Sequence, residues 1–589
     1  METSKNIVEG YLMKQDWRVK ENSNSPYSYG GLGKHIIAEV SKDYWLREVY
    51  PESIAKYYVD GDIHLHDLGG LTLYCCGYSL KKLIQTGVKG VPNIPTSSPA
   101  NHFDSILNQI ANLITVYQNE IMGAVAFSSV DTLLAPFIKV DNLKYEEVKQ
   151  ALQNFIFSIN SNSRGGAEPA FSNITLDLTP PNDLIDEYAL VGGGLADFTY
   201  GDCQAEMDMF NRAFCELMIK GDSNGRPFSY PIPTYNIHER FDWDNKNNEL
   251  LWEMAGKYGY PYFANFINSD MKPEDARSMC CRLRLDLTEL QKRNGGLFGS
   301  GDSTGSIGVV TINLPRLAYK SKGDKAKFFK LLDEVLVVAK DSLEIKRDWL
   351  QKHVIDTRLI PAFNTYVGTM RNHFSTIGVV GMNEMCENFF GKGNDILSDE
   401  GREFALEVGA HIREKLLEFQ QETGNLYNFE ATPAESTCYR LALKDKKEYP
   451  DIITRGTAES PYYTNSCHIP VSKVEGIKQV FDHQEDLQIM FTGGTVIHIF
   501  CNGAISGETA KSIIHTVCSN YKTPYVSISP LNRYCREHGY IADAVDKCPV
   551  CNEPLQMYQR ITGYLRCVDN YNDGKRAEFN ERSQLELES

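Results

Sequence analysis

An excess of basic charge is missing from this 589-residue chain, in which Lys+Arg total 60 against Asp+Glu 77, a net charge of −17. That balance opposes a sequence-independent grip on nucleic-acid phosphates, so no nucleic-acid polymer is expected as a partner. Long apolar runs are missing too. No stretch approaches 18 consecutive apolar residues, and the polar start METSKNIVEG lacks the apolar segment of a signal peptide, so the chain reads as cytoplasmic, with no membrane partner. Internal repeats and low-complexity linkers are absent as well. What is present is core material: 42% hydrophobic and 11% aromatic residues exclude wholesale disorder.

Fifteen cysteines in a chain without a secretion signal point to reduced thiols used for metal, redox or nucleophilic work, or simply buried. Cys203, Cys215, Cys386, Cys438, Cys501 and Cys518 stand singly in apolar or mixed surroundings and read as small buried hydrophobes. The pairs Cys75-Cys76 and Cys280-Cys281, and the C-terminal group Cys535, Cys548, Cys551 and Cys567, carry the chemistry.

Residues 1–60 read as helical and polar, and YYVDGDIHLHDLGG as a strand followed by a glycine turn. Apolar spacing from Asn101 to Ile138 fits one or two amphipathic helices, a core pair or a subunit interface. Short apolar runs, SNITLDL, SIGVVTINLP and GGTVIHIF among them, then alternate with helical stretches at Lys325 to Leu350 and Asp399 to Gln420. That rhythm predicts an α/β fold with buried strands, and at this length a barrel.

Cys535-Arg-Glu-His538, followed after nine residues by Cys548-Pro-Val-Cys551, pairs soft ligands at two-residue spacing. Thiolate and imidazole donors in that pattern suit tetrahedral zinc, and four ligands would close the shell of a structural ion. His64-Leu-His66-Asp67 offers two imidazoles on one strand face but no third ligand at useful spacing, and reads as packing or turn hydrogen bonding. Thr492-Gly493-Gly494-Thr495 is short for a phosphate-binding loop.

After the zinc pattern comes Arg560-Ile-Thr-Gly563-Tyr564-Leu565-Arg566. Alone, Gly563 would mark only a turn. Beside the cysteine cluster, the segment resembles the radical loop of glycyl radical enzymes. The rest of the chain resembles the anaerobic (class III) ribonucleoside-triphosphate reductase family in collinear order: DWRVKENSN, GDIHLHDLGGLTLYCCGYSL, AVAFSSVDTLLAPF, NSRGGAEPAFSNITLDL, SYPIPTYNI, MCCRLRLD, GSIGVVTINLPR, TPAESTCYRLALKDK, YYTNSCHIPV and FTGGTVIHIF.

The resemblance implies a ten-stranded α/β barrel of two five-stranded halves with an inner finger loop, plus a C-terminal zinc-binding and glycyl radical loop module. The expected division is a barrel over 1–530 without an N-terminal ATP-cone, a zinc module at 531–556 and the radical loop and tail at 557–589. The implied activity is reduction of ribonucleoside triphosphates to deoxyribonucleoside triphosphates. Gly563 would store the radical, installed by a radical-SAM activase. Glycine suits such storage because its carbon carries no side chain, its amide nitrogen donates electron density and its carbonyl withdraws it. Cys281, directly before Arg282, would be the finger-loop thiyl, with Cys280 the adjacent alternative. Cys75 would supply hydrogen as the 2′ hydroxyl leaves, with Cys76 on the other strand face. Thr492, Gly493, Gly494 and Thr495 resemble a substrate phosphate turn, Glu435 falls near the ribose, and Asn162 to Gly166 matches a glycine turn. A homodimer with deoxynucleoside triphosphate effectors is expected, with region 101–123 a candidate interface. Formate-oxidising members carry an asparagine before the GVVT strand, where this chain reads Ser303-Thr-Gly-Ser306, and a thioredoxin- or glutaredoxin-like dithiol is the expected reductant, with Cys567 a possible participant. Two other readings compete: another glycyl radical enzyme of formate-lyase or dehydratase type, and a zinc-ribbon nucleic-acid binding protein.

Overall fold

Short, largely buried runs three to nine residues long, each bounded by turn residues, form the strands of one large sheet. The computed structural model describes residues 3–14, 27–92, 94–162, 168–269, 271, 303–542 and 544–587. In chain order the principal strands are β1 (Cys75–Gly77), β2 (Val125–Phe127), β3 (Ser172–Leu176), β4 (Ile232–Ile237), β5 (Tyr262–Asn265), β6 (Gly305–Asn313), β7 (His373–Val380), β8 (Leu426–Glu430), β9 (Ile497–Cys501) and β10 (Tyr525–Pro530).

Neighbouring strands from β1 to β5 are parallel, as are β6, β7 and β8, and β9 with β10. Two antiparallel junctions join the halves: Cys75 faces Ser306 between β1 and β6, and Tyr525 faces Ala264 between β5 and β10. The remaining gap closes where the segment leading into β9 meets β8. There the amides of Thr492 and Gly493 both donate to the Phe429 carbonyl, and the Ala431 amide donates to Gly493. The expected ten-stranded barrel of two five-stranded halves is thus present. A further short strand, Ile63–Leu65, pairs antiparallel with β6.

Parallel strands need crossovers, and helices supply them. Among these are α1 (Phe103–Tyr117) and α2 (Val130–Val140) on either side of β2, α3 (Lys325–Leu350) between β6 and β7, and α4 (Asp399–Thr423) between β7 and β8. Local sequence sets their ends. Asp324 accepts from the Lys327 amide at 3.0 Å, Ser398 caps the Gly401 amide at 3.1 Å, and Gly424 stops α4 at φ +71°.

Along the strands, Ile174, Tyr235, Phe263, Ile377, Phe429 and Val526 pack outward into a continuous apolar core beneath the helices. The alternate positions Asn173, Thr175, Thr234, Thr376, Asn428 and Ser527 are buried and polar. A purely structural barrel core would be apolar on both faces. Here the inward side of the pleat is built for polar contacts.

On α1 the apolar positions are taken up by the chain's own core, leaving Asp104, Asn108 and Asn112 exposed. The face it would present to a second subunit is therefore polar. Among the described residues, no helix is long and apolar enough to cross a membrane.

Candidate functional site

After the barrel the chain forms a four-stranded sheet of β11 (Asn532–Cys535), β12 (Gly539–Ile541), β13 (Gln556–Arg560) and β14 (Leu565–Cys567), followed by helix α5 (Asp573–Glu581). This sheet runs through both the cysteine cluster and the Gly563 loop, so the two share one scaffold.

Cys535 ends β11, His538 lies in the turn to β12, and Cys548 and Cys551 flank the turn ahead of β13. Their ligand atoms all lie within 4.8 Å of one another. Cys535 Sγ is 3.4 Å from His538 Nδ1 and 3.5 Å from Cys551 Sγ, and Cys548 Sγ is 3.6 Å from the same Nδ1. A tetrahedral ion with metal–sulfur bonds of about 2.3 Å needs ligand separations of about 3.8 Å, so the four residues fit such an ion with little movement. Cys535 and Cys548 are buried, whereas His538 is exposed.

The turn between β13 and β14 carries Gly563, which is buried. Its carbonyl oxygen accepts from the Tyr262 hydroxyl at the start of β5 and from Arg560 Nη1 at 3.0 Å. Arg560 also donates through Nη2 to the carbonyls of Gly259 and Tyr260, and its guanidinium lies 4.3 Å from the centre of the Tyr262 ring. Tyr564 packs edge-on against Phe171, beneath the Arg566 guanidinium, and hydrogen-bonds to Glu435. Sequence had placed Glu435 near the ribose; the structure sets it beside the residue that follows Gly563.

A buried ion triad holds the strand leading to the loop. Glu578 on α5 bonds Lys575 at 2.6 Å and Arg582 at 2.9 Å, and Arg582 donates to the carbonyls of Arg560 at 3.0 Å and Ile561 at 2.8 Å. Burial raises the Glu578 carboxyl, but the two cations outweigh it and hold it below the usual carboxylate range.

A cleft open to solvent adjoins the loop, with Thr432, Gly494, His498, Phe500, Ile561 and Thr562 in its wall. This brings the 492–495 turn and the Gly563 loop to one space. Thr492 and Gly493, however, spend their amides on the barrel seam. Any phosphate contact through main-chain amides falls to Gly494 and Thr495. Gly494 must be glycine, since φ is +70° and a Cβ would come within 2.5 Å of the Ala431 carbonyl oxygen.

Cys76 projects into the outer apolar core, its Sγ 3.2 Å from its neighbour's carbonyl, and burial pushes the thiol well up. Cys75 lies on the opposite face in register with Ser306, whose hydroxyl is 2.8 Å from Thr376 Oγ1, which in turn donates to Asn428 at 2.7 Å. Cys280 and Cys281, with Ser163 to Gly166, lie outside the described residues. Cys567 is buried on β14 and burial pushes its thiol up to about 11, a poor setting for exchange with an external dithiol. His66 Nε2 is 2.8 Å from Thr311 Oγ1 and His64 meets Arg440, which accounts for both imidazoles without a metal.

Sequence reasoning missed Tyr262 and Arg582, and noted Lys575 and Glu578 beside the loop segment without giving them a role. Arg560 stood inside the recognised loop segment without a role, and Tyr262 carries no motif of its own.

A barrel of two antiparallel-set parallel halves, polar within and capped by a buried C-terminal loop, defines the class: a ten-stranded α/β barrel enzyme. The profile of the anaerobic ribonucleoside-triphosphate reductase family matches residues 21–584, and the chain belongs to that family of oxidoreductases. The anaerobic ribonucleoside-triphosphate reductase of Escherichia coli K12 is 24% identical, over 96% of this chain and 83% of its own length. The anaerobic ribonucleotide reductase of Thermotoga maritima with dATP bound in the specificity site superposes with a TM-score of 0.75 at 20% identity, over 96% of this chain and 94% of its own. A second structure of that reductase holds dATP and CTP, with the same TM-score and identity, over 97% of this chain and 94% of its own. A Roseburia inulinivorans structure concerned with 1,2-propanediol dehydration shares the fold more distantly, at a TM-score of 0.55 and 10% identity over 99% of this chain and 89% of its own.

Because the triad lowers the Glu578 pKa on folding, its contribution is complete above the usual carboxylate range and is lost as pH falls through the depressed folded value. Glu578→Ala, which strands two buried cations, should cost about 3–5 kcal/mol at neutral pH. Differential scanning calorimetry from pH 7 downward should show the gap between wild type and variant narrowing only in acid.

Proposed function

We propose that this chain reduces ribonucleoside triphosphates to deoxyribonucleoside triphosphates by a radical stored on Gly563 and passed to Cys281. The observation that carries the reading is the burial of the Gly563 loop against Tyr262 beside a cavity that also takes in Gly494. A side-chain-free carbon is held there away from solvent, next to an open space lined by both the 494 turn and the Gly563 loop.

In the proposed sequence a radical-SAM activase removes one hydrogen atom from the Gly563 Cα, leaving the unpaired electron there. Gly563 then recovers a hydrogen atom from the Cys281 thiol, and the resulting thiyl takes the ribose 3′ hydrogen. The 2′ hydroxyl gains a proton and departs as water, Cys75 supplies hydrogen at C2′, and two electrons come from a dithiol. Cys281 then returns the hydrogen to C3′ and recovers the thiyl, which takes hydrogen back from Gly563, so each turnover yields one deoxynucleotide, one water and one disulfide with the radical restored. The inward Ser306 opposite Cys75, in the segment where formate users carry asparagine, supports a thioredoxin- or glutaredoxin-like reductant. The nucleotides bound by the Thermotoga maritima relative support triphosphate substrates with deoxynucleoside triphosphate effectors. A homodimer remains the family expectation.

Cys535, His538, Cys548 and Cys551 would hold zinc. The ion would supply a cross-link between the β11–β12 turn and the turn before β13, stiffening the sheet from which the Gly563 loop hangs. Cobalt(II) should enter this site with thiolate charge-transfer and tetrahedral ligand-field absorption, and Cys548→Ser should weaken both bands and lower the melting temperature.

Anaerobic incubation with activase, S-adenosylmethionine and a dithiol protein should give deoxynucleotide from ribonucleoside triphosphate without formate. Brief air should then cleave the main chain at Gly563, seen by mass spectrometry, and Gly563→Ala should abolish both. Turnover that requires formate would overturn the reductant assignment, and cleavage that persists in Gly563→Ala would overturn the radical site.

A further inference from the structure

Two donors converge on one acceptor at the loop. Tyr262 and Arg560 both donate to the Gly563 carbonyl oxygen, so both of its lone pairs are engaged. One hydrogen bond would orient the peptide. The second adds electrostatic pull on the same oxygen.

Both donors are tightly held. Arg560 is 2% exposed and Tyr262 3%. Arg560 is tied through Nη2 to the carbonyls of Gly259 and Tyr260, and its own carbonyl accepts from Arg582. Its guanidinium lies over the Tyr262 ring, which polarises the phenol towards donation. The arrangement has the logic of an oxyanion hole: fixed donors aimed at an oxygen on which charge develops, in surroundings of low dielectric where they act strongly.

Charge develops there when the Gly563 Cα–H bond breaks homolytically. The hydrogen atom leaves to a carbon radical supplied by the activase, and the electron left on Cα delocalises between the amide nitrogen and the carbonyl. Resonance forms that place negative charge on oxygen gain from every donor to that oxygen. We infer that Tyr262 and Arg560 set the electronic stability of the Gly563 radical by drawing charge through its carbonyl, and so bias where the unpaired electron rests between Gly563 and the finger-loop thiol. They are positioning residues acting through the Gly563 peptide. The inference rests on the reading of Gly563 as the radical store.

The test uses the full-length chain, activated anaerobically with a radical-SAM activase and observed by high-field electron paramagnetic resonance. Tyr262→Phe keeps the ring beneath Arg560 and removes only the hydroxyl. With one donor gone, spin density on oxygen is less screened, so the largest g component should rise. Radical yield per chain should fall about three- to tenfold, the range set by loss of one hydrogen bond. Incorporation of 3,5-difluorotyrosine at position 262 strengthens donation with little change of shape. It should move the g component the other way with yield at or above wild type, and it decides the matter if Tyr262→Phe does not fold. A g tensor and yield unchanged in both variants would overturn the inference while leaving the radical site intact. An activated wild-type chain with no organic radical would overturn the proposed function and this inference together.

Discussion

The Gly563 carbonyl and the Tyr262 hydroxyl stand 301 residues apart in the chain, yet this hydrogen bond fixes the tip of the C-terminal loop to the barrel. Much else follows from keeping the contact. Arg560 reaches back to the chain just before β5, Arg582 grips the strand leading into the loop, and Glu578 with Lys575 keeps Arg582 from being a lone buried cation. Helix α5 is largely polar, and its buried residues Gly574, Lys575 and Glu578 show that it serves this grip more than any apolar core.

The barrel makes the other half of the arrangement. Its two parallel halves run in opposite senses, so the N-terminal end of β5 lies beside the C-terminal end of β10, and the loop is held at that junction by Tyr262 on one side and by Gln559 bonded to the Ser529 carbonyl on the other. The inward polar ladder from Cys75 through Ser306 and Thr376 to Asn428 crosses the second antiparallel junction. Both junctions carry groups that the proposed chemistry uses. The seam between β8 and β9, made by Thr492, Gly493 and Phe429, closes the wall next to the cavity.

Local features were the legible ones. The Cys-x-x-His and Cys-x-x-Cys spacing could be read because all four ligands come from short turns of one small sheet. Helices α3 and α4 stand out because capping residues and apolar period agree over long stretches. The glycine loop was readable only with its neighbours and the collinear segments around it. Region 101–138 read as helical throughout, although Val125–Phe127 is a strand: three residues are too few to break a helical period, and tertiary pairing decided them. Tyr262 left no trace, since a tyrosine at a strand start has many uses. The Thr492-Gly493-Gly494-Thr495 turn was tied to phosphate only through the family resemblance, and its seam with Phe429 could not be read because that partner lies 63 residues away. Cys281 was chosen by pattern alone, on a segment beyond the described residues.

The central claim is that an unpaired electron rests on the α-carbon of Gly563. Expression in a glycine-auxotrophic host fed [2-2H]glycine, followed by anaerobic activation and electron paramagnetic resonance, tests it most directly. The account predicts a doublet in unlabelled protein that collapses towards a single line with the deuterated glycine, and no signal in Gly563→Ala. A doublet that survives deuteration, or one that persists in Gly563→Ala, would contradict it.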